Sequence, residues 1–367
     1  MTGQAQRARY VGFANAKLPD SDYRVSFARD SLVSDVLLAL PERPHALPAE
    51  KYVPLPIGEG LRPTTLVALL RVPSILRRSR ADIAHFFATQ LALAGPPLAR
   101  LAGTRAIMTI TGLGRTFSRP GWLGALLRAI YMACFRLAAA CSERVLFQTE
   151  ADMRELATRV PAHVARHFEL VGSAIDGTLF ELEVVKPEGR PICIMVARVH
   201  PSKGISDFLA VADALAGLAD FTLVGPPSAG ADGLLAAVNE AADAGKIDYL
   251  GTLHDWEVRK LLARAAVLVL PSRGEGIPRV VLEASLSDVA TIAYDIAGCR
   301  ATLPPQALAP AFELDGLQAL VERALSDLRF RRDLARDSRA VAVDVYSAQG
   351  YADKMDSIIA QVLEPVR

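Results

Sequence analysis

The segment 265–285, AAVLVLPSRGEGIPRVVLEAS, decides which fold the chain can adopt. Its beginning, Ala265 to Leu270, is an uninterrupted apolar run, which predicts a strand buried on both faces of a parallel sheet. Pro271 ends the run, and Gly274-Glu275-Gly276 separates it from an amphipathic helical pattern. A strand, a glycine loop and a helix in this order indicate one unit of an α/β fold.

Two glutamates make this unit a candidate binding site. Glu275 lies in the loop over the carboxyl end of the strand, and Glu283 is predicted about two turns into the helix. Ligands of open α/β sheets bind in the crevice outside the carboxyl ends of the strands, so both carboxylates can face one crevice. Backbone amides near Gly276, at the positive end of the helix, would donate to an anion or a sugar hydroxyl. The alternative is a solvated helix start, where acids are also favoured.

Strand-like and helix-like segments alternate through the whole chain. The connection 18–34 is short and polar where a full crossover helix would be expected, and segment 184–191 is a linker rich in proline, glycine and charge. We therefore predict two facing Rossmann-like α/β domains, at 1–185 and 186–345, with a cleft between them. Strands are predicted at 10–14, 35–40, 51–57, 83–87, 106–110, 145–148, 168–171, 192–197, 221–224, 247–250, 266–270 and 291–293.

The net charge of +1 conceals an asymmetry between the two halves of the chain. Residues 1–187 contain 23 basic and 16 acidic side chains, or +7, whereas residues 188–367 contain 18 and 24, or −6. The basic half predicts an anionic partner such as a membrane surface or a lipid pyrophosphate. Nucleic acid is not expected, because the arginines are interleaved with leucine and alanine rather than with base-stacking aromatic residues.

Cysteine usage and the N-terminal sequence predict a cytoplasmic protein. The four cysteines show no CxxC spacing, and MTGQAQRARY lacks the apolar core of a signal peptide. A spanning helix is not expected, because the most apolar segment, 122–141, contains Arg128 and Arg136. The helix predicted at 121–140 either lies in a membrane interface or packs in the core with its arginines reaching water. The first alternative would place the protein peripherally on the inner face of the cell membrane.

A second loop, ARVHPSKG at 197–204, follows the first strand of the second half. Arg198 and Lys203 bracket this loop just before a helix N-terminus, so that two cations and free backbone amides would converge there. Such a set suits a diphosphate, because arginine supplies a planar fork and lysine a mobile point charge. An isolated pair is usually plain surface charge. Here it falls at the same sheet edge as the two glutamates, and together the four side chains can hold a nucleotide diphosphate-sugar.

On these residues the chain resembles the retaining, nucleotide-sugar-dependent glycosyltransferases of family 4, which have two Rossmann-like domains and are termed GT-B. The residues EGIPRVVLE fit the glutamate-seven-glutamate pattern of that family, and the loop 198–203 fits its diphosphate clamp. The first half is similar to the subgroup that extends lipid-linked bacterial glycans, through ADIAHFF, TITGLGRTF and VGSAIDGTLF. The segments that carry the resemblance in the second half are MVARVHPSKGISDFL, FTLVGP, IDYLGTLHD, VLVLPSRGEGIPRVVLEAS and IAGCR.

The resemblance implies roles for the donor-side residues. Glu283 would bind the ribose hydroxyls, and Glu275 would bind the donor sugar. Arg198 and Lys203 would neutralise the leaving diphosphate, so that no metal ion or other cofactor is required. Contacts from Gly276, Ile277 and Pro278 would complete the donor site.

Further implied roles fall in the first half and at the C-terminus. Thr111 and Gly112 belong to a glycine-rich turn after strand 106–110, which is either a ligand loop near the anomeric centre or a simple turn. His85, placed at the end of a strand, would line the acceptor side; its alternative is a structural role. The resemblance also implies that the last segment, 346–367, is a helix that crosses back onto the first domain.

Three segments depart from the family pattern. No glycine-rich turn is recognisable in 14–19, the segment 285–290 lacks the usual glycine and proline, and Ala301 stands where an acid is common. These departures bear on donor affinity more than on the fold, since the clamp and both glutamates remain.

The expected function is transfer of a sugar, with retention, from a nucleotide diphosphate-sugar such as a UDP-sugar to a hydroxyl of a lipid-linked glycan, in cell-surface glycan biosynthesis. Catalysis would depend on positioning and on stabilising the charge of the leaving diphosphate, since no Ser-His-Asp or Cys-His set is recognisable. The alternatives are a sugar-nucleotide epimerase, a phosphorylase with lysine-bound pyridoxal phosphate, and a catalytically weak scaffold partner of an active transferase.

Overall fold

The chain folds into two compact units. The computed structural model describes residues 8–15, 18–31, 34–57, 63–113, 117, 121–180 and 189–364. Unit 1 comprises Met1–Ala174 together with Ala348–Arg367, and unit 2 comprises Ile175–Ser347. The division thus falls earlier than the predicted one at 185/186, and most of the predicted linker, 184–188, lies outside the described residues.

Unit 1 is built on a parallel sheet. Its strand order is β3-β2-β1-β4-β5-β6-β7, and every described pairing is parallel. The strands are β1 (Ala8–Phe13), β2 (Ser34–Leu40), β3 (Tyr52–Pro54), β4 (Ile83–Phe87), β5 (Arg105–Ile110), β6 (Arg144–Phe147) and β7 (Phe168–Leu170). The α-helices between them are α1 (Tyr23–Asp30), α2 (Pro63–Ser79), α3 (Thr89–Leu101), α4 (Gly121–Ala140), α5 (Glu150–Ala157) and α6 (Ala162–Ala165).

Unit 2 repeats this architecture with a smaller parallel sheet. The order is β10-β9-β8-β11-β12-β13. Its strands are β8 (Ile192–Val196), β9 (Asp220–Val224), β10 (Asp248–Tyr249), β11 (Val267–Leu270), β12 (Ala290–Tyr294) and β13 (Leu308–Ala309). Its α-helices are α7 (Ile205–Ala214), α8 (Asp232–Asp243), α9 (Asp255–Arg264), α10 (Arg279–Leu286), α11 (Ala297–Arg300), α12 (Leu314–Ser326) and α13 (Leu328–Val345).

The apolar runs become central strands because both faces of each sheet are covered. All four residues of β11 and all five of β12 are buried, and the core of unit 2 surrounds them. The predicted α/β class with parallel sheets is confirmed. Helix α14 (Ala348–Leu363) follows unit 2 in the chain, but its apolar face completes the core of unit 1. Tyr351 stacks at 4.3 Å on Tyr23, and Met355 is fully buried in the same cluster.

Two details of the predicted elements are wrong. The polar connection 18–34 does contain a helix, α1, which Asp22 begins by accepting a hydrogen bond from the Arg24 amide. Its apolar residues, at 23, 25, 27 and 28, do not recur at the spacing of an amphipathic helix, so a periodicity argument misses it, whereas the cap is local and specific. Glu283 lies just over one turn into α10 rather than two, because the chain bends at Gly276 and Ile277 and the helix begins only after Pro278.

The side chain of His85 is buried against the sheet of unit 1. The prediction that it lines an acceptor site is therefore wrong. It sits in the middle of β4, is fully buried, and hydrogen-bonds the Tyr10 hydroxyl on one side. On the other side its Nε2 lies 2.6 Å from Oγ1 of Thr109. Burial holds the pKa of His85 well below its ordinary value, and the Arg24 charge adds to this effect. The neutral ring therefore satisfies two buried hydroxyls, which is a structural role.

Close packing at Gly95 gives a test of the core of unit 1. A Cβ built on Gly95 would lie 2.2 Å from the ring of the buried residue Phe86. We predict that Gly95→Ala lowers the free energy of unfolding by about 1–3 kcal/mol, because the ring must move in a close-packed core. Urea denaturation followed by circular dichroism measures this.

Gly233 of helix α8 is the matched control, since a Cβ there would meet no atom within 4 Å. Gly233→Ala should be neutral or stabilising by up to about 1 kcal/mol, as expected for alanine in a helix. Equal loss of stability in both variants would contradict the packing argument.

Candidate active site

The strand order of unit 2 creates a crevice between β8 and β11. The chain builds the sheet outward from β8 through β9 to β10, and then returns to build β11, β12 and β13 on the other side. The loops that follow β8 and β11 therefore run in opposite directions from adjacent strands. In open α/β sheets this switch point, at the carboxyl ends of the strands, is where ligands bind. The predicted clamp loop follows β8, and the predicted glutamate loop follows β11.

The two loops are held together by a close approach of their backbones. Gly204 ends the β8 loop with a positive φ of 70°, and a Cβ there would lie 2.0 Å from the carbonyl oxygen of Pro271. A hydrogen bond of 2.8 Å from the Arg273 amide to the Ser202 carbonyl adds a second tie. Only glycine fits at position 204, because a side chain would both strain the backbone and collide with the neighbouring loop.

This approach brings Lys203 and Glu275 into contact. Nζ of Lys203 donates to Oε1 of Glu275 across 2.6 Å. The lysine side chain is 22% exposed and the glutamate 13%, so the pair is shielded from water more than an ordinary surface pair is. Two of the predicted site residues, from loops 72 positions apart, thus meet at the switch point.

The short helix α11 also packs against the glutamate loop. A Cβ on Gly298, in α11, would lie 2.0 Å from the Gly276 carbonyl oxygen and 2.7 Å from that of Glu275. The next residue, Cys299, is buried, and burial raises the pKa of its thiol to about 12. The Glu275 carboxylate also raises the pKa of this thiol, and the Lys203 ammonium group lowers it. The backbone at 275–276 is therefore fixed between α11 and the β8 loop.

Glu283 lies in a separate charged group on α10. Its Oε1 is 3.3 Å from Nη2 of Arg279, one helical turn earlier. Burial raises the pKa of the Glu283 carboxyl, Arg279 opposes this, and Asp255 and Arg259 act on it with opposite signs. Among the described residues no hydrogen bond or ion pair joins Glu283 to the Lys203–Glu275 pair. The structure therefore supports two neighbouring polar groups at one sheet edge rather than one four-membered cluster.

The remaining predicted residues have more open surroundings. Arg198 is exposed in the β8 loop and makes no ion pair with a described residue. Gly276 is exposed, Ile277 is half-buried, and Pro278 is buried immediately before α10. Thr111 and Gly112 follow β5 in unit 1 and are half-buried; the rest of that glycine turn, 114–116, lies outside the described residues.

Comparison with known proteins identifies the domain that carries this site. Residues 190–327 match the protein family described as "Glycosyl transferases group 1". Those residues contain the β8 loop, the Lys203–Glu275 pair, and Glu283. Unit 2 carries a group 1 glycosyltransferase domain.

Two characterised transferases resemble the chain over most of its length. The N,N'-diacetylbacillosaminyl-diphospho-undecaprenol alpha-1,3-N-acetylgalactosaminyltransferase of Campylobacter jejuni is 27% identical over 69% of this chain and 70% of its own. The 2-deoxystreptamine N-acetyl-D-glucosaminyltransferase of Streptomyces fradiae is 28% identical over 75% of this chain and 70% of its own. The first name specifies an acceptor linked to undecaprenol diphosphate, and the second specifies 2-deoxystreptamine.

Solved structures confirm the fold beyond the glycosyltransferase domain. Sucrose-phosphate synthase from Thermosynechococcus elongatus matches 97% of this chain and 99% of its own, with a TM-score of 0.78 at 17% identity. At that identity the likeness concerns the fold alone. The α/β fold of two parallel sheets is thus the GT-B type that the resemblance implied.

Arg273 is a residue of the candidate site that the sequence reasoning missed. Its Nη2 donates to Oδ2 of Asp207 across 2.7 Å, and the Tyr294 hydroxyl donates to the same oxygen across 2.8 Å. The guanidinium also lies over the ring of Phe312, at 4.9 Å. Arg273 therefore ties the β11 loop to α7 and to the end of β12. The sequence signal that could have indicated Arg273 is its position between the predicted strand and Glu275.

Arg259 is a second missed residue. It influences the pKa of Glu283, and its Nη1 is buried without a hydrogen-bond partner among the described residues. A buried guanidinium nitrogen without a partner is unfavourable, so this atom is a candidate donor to a bound ligand. Nothing in the segment DWEVRKLLAR distinguishes it from an ordinary helix arginine.

The raised pKa of Glu283 gives a prediction with a definite sign. The folded protein binds a proton at this carboxyl more tightly than the unfolded chain does, with an unfolded value of 4.5. Its stabilising contribution is therefore full at low pH and is lost as pH rises through the raised pKa. We predict that Glu283→Gln becomes more stable relative to the wild type as pH rises from about 4 to about 7.

Urea denaturation at several pH values measures this difference. Glu322→Gln, which makes the same charge change at an exposed residue of α12, is the control and should show a smaller trend. A wild-type advantage that grows with pH would show that the Glu283 carboxylate is stabilised, not penalised, by its site.

Proposed function

We propose that the protein is a retaining glycosyltransferase that moves a sugar from a nucleotide diphosphate-sugar, a UDP-sugar, to a hydroxyl of a lipid-linked glycan. The acceptor would be used at the cytoplasmic face of the cell membrane, in cell-surface glycan biosynthesis. The observation that carries this proposal is the contact between Lys203 and Glu275 at the β8/β11 switch point, inside a group 1 glycosyltransferase domain.

The Lys203–Glu275 pair suits a donor whose leaving group is a diphosphate. When the bond from the anomeric carbon to the diphosphate breaks, negative charge develops on the leaving oxygen, and a fixed cation stabilises it. Lys203 is such a cation, and Arg198, exposed in the same loop, supplies a second one. The new bond forms to the acceptor oxygen, and the hydroxyl proton is released with the nucleoside diphosphate. We propose that these two cations take the place that a metal ion has in other transferases.

Glu275 would exchange its partner when the donor binds. In the structure its carboxylate is bound to Lys203, and the diphosphate competes for the same ammonium group. The carboxylate then becomes available to accept hydrogen bonds from sugar hydroxyls. Glu283, whose charge is disfavoured by burial, gains in the same way from the donor hydroxyls of a ribose. Glu275 thus exchanges its ammonium partner for sugar hydroxyls, while the ammonium group pairs with the diphosphate, and Glu283 gains donors in addition to Arg279.

Two relatives suggest two different acceptor classes, and an experiment can distinguish them. The Campylobacter jejuni relative bears the name of an undecaprenol-diphosphate acceptor, whereas the Streptomyces fradiae relative bears that of 2-deoxystreptamine. We favour the lipid-linked class because unit 1 carries the basic and apolar surface described below. Transfer assays with a polyprenyl-diphosphate-linked sugar and with 2-deoxystreptamine decide between them.

Binding of the donor is the first test. Thermal-shift measurements with UDP-, GDP- and ADP-sugars should show stabilisation by UDP-sugars, followed by calorimetry for the affinity. Proton NMR of the transferred product should show the anomeric configuration of the donor. Absence of binding to all nucleotide sugars would support the scaffold alternative, and reaction of a sugar phosphate would support a phosphorylase.

A variant of Lys203 is the most direct test of the proposed active site. We predict that Lys203→Met lowers kcat/KM by about 10²-fold or more, because the charge on the leaving diphosphate loses its fixed cation. Lys203→Arg should recover part of the rate. Initial rates at varied donor concentration measure both variants.

Lys246 provides the matched control, since its ammonium group forms an ion pair of the same 2.6 Å length with Asp213 on the surface of unit 2. Lys246→Met should leave kcat/KM within about twofold of the wild type, as expected for an exposed pair. Equal rates in Lys203→Met and Lys246→Met would remove Lys203 from the active site.

A further inference from the structure

Helices α2, α3 and α4 form one layer of unit 1, and their outer surface has an unusual composition. Helix α3 packs against both of the others, and all three cover the sheet through their inner faces. The segment that contains them, 63–142, has ten arginines, no lysine and a single acid, Asp82. No other part of the chain of that length is so basic, and nothing in the chemistry of the donor site requires this.

The outer face of α4 is apolar along its whole length. The inner face packs into the core through Tyr131, Met132 and Phe135. On the opposite face Trp122 is 79% exposed, and the apolar stripe continues over about 22 Å to Leu137. The exposed large side chains of this stripe are Trp122, Leu123, Leu126, Ile130 and Leu137. Gly121–Ala140 is also a helix long and apolar enough to cross a membrane, but its inner face belongs to the core.

Helix α2 adds a second apolar patch, followed by cations. Leu66, Val67 and Leu70 are exposed in its first half. Arg71, Arg77 and Arg78 are exposed on the same side, and they form no ion pair with any residue in the part of the chain that the structure describes. Exposed tryptophan and leucine beside unpaired arginines are typical of surfaces that enter the headgroup region of a bilayer.

We propose that the outer faces of α2 and α4 are a docking surface for an anionic lipid bilayer. The apolar side chains would enter the boundary between headgroups and acyl chains, and the arginines would contact the anionic headgroups. Charge complementarity selects this partner, because an acid-free surface of this kind repels a second copy of itself. The inference rests on the proposed function in one respect: a lipid-linked acceptor is presented at such a bilayer.

Vesicle sedimentation tests the apolar part of the surface. The wild type should co-sediment with vesicles of phosphatidylcholine and phosphatidylglycerol, and much less with phosphatidylcholine alone. Leu126→Glu combined with Ile130→Glu should weaken binding at least tenfold, because two charges would have to enter the apolar boundary. Val343→Glu is the matched control: Val343 lies on a helix of unit 2 and is 48% exposed, the same fraction as Leu126. Equal binding by both variants would overturn the proposal.

The arginines are tested separately. Each of Arg71→Gln, Arg77→Gln and Arg78→Gln should weaken binding to anionic vesicles about fivefold, and added salt should reduce the wild-type affinity. Arg264→Gln, at an exposed arginine of unit 2, should have no effect. Binding that is indifferent to phosphatidylglycerol or to salt would contradict the electrostatic contribution.

Trp122 can report insertion directly, because the chain has only one other tryptophan, Trp256. In a Trp256→Phe background, the fluorescence of Trp122 should shift to shorter wavelength with anionic vesicles and not with phosphatidylcholine alone. An unchanged spectrum would place the helix outside the bilayer. If Leu126→Glu with Ile130→Glu instead dissociated a dimer in sedimentation equilibrium, a second copy would be the occupant.

Failure of this proposal is separable from failure of the proposed function. Vesicle binding requires neither donor nor acceptor, and donor binding by calorimetry requires no membrane. A protein that binds UDP-sugars but not vesicles would keep the transferase assignment and lose the docking surface, and the reverse result would do the opposite.

Discussion

The close backbone approach of the β8 loop, the β11 loop and helix α11 is the constraint on which the candidate active site depends. The β8 loop meets the β11 loop where Gly204 faces the Pro271 carbonyl, and α11 meets the β11 loop where Gly298 faces the Gly276 carbonyl. Side chains at these two glycines would push the loops apart. With the loops in place, Lys203 reaches Glu275 across 2.6 Å, and the crevice acquires a fixed cation and a fixed anion at the sheet edge. The contact between Lys203 and Glu275 thus depends on how closely the backbones pack.

The charged groups of the candidate site neutralise and hydrogen-bond one another only in part. Lys203 and Glu275 neutralise each other, Glu283 carries a charge that burial disfavours, and Arg259 has a buried nitrogen without a partner among the described residues. A protein selected only for stability would replace such groups with apolar ones of similar size. Their presence at the switch point, where Rossmann-like folds bind ligands, indicates a site for a polar ligand.

Much of the fold could be predicted from sequence because buried parallel strands are continuous apolar runs. The segments 83–87, 192–197 and 266–270 were predicted on that basis and became β4, β8 and β11. The predictions failed for two different reasons. Helix α1 is short, lacks helical periodicity and is begun by a local cap, whereas the histidine of β4 looks like a ligand-lining residue until its partners Tyr10 and Thr109 are known.

The geometry of the candidate site was predictable in part for the same reason. The contact of Lys203 with Glu275 follows from topology, since both residues come directly after adjacent strands. The part played by Arg273 does not, because its partners Asp207 and Tyr294 are contributed by a helix and a strand that are distant in sequence. The separate surroundings of Glu283 were not predictable either, because Arg279, Asp255 and Arg259, which act on its carboxyl, are not specified by the glutamate-seven-glutamate pattern.

The position of α14 has a consequence for the synthesis of the protein. The core of unit 1 includes Tyr351, Met355 and Ile358, although all of unit 2 lies between them and the rest of that core. The aromatic residues Tyr23 and Phe27 therefore acquire their covering helix only after all of unit 2 has been synthesised. The core of unit 1 is thus completed by the residues that leave the ribosome last, and unit 1 cannot complete its core while the chain is still being synthesised.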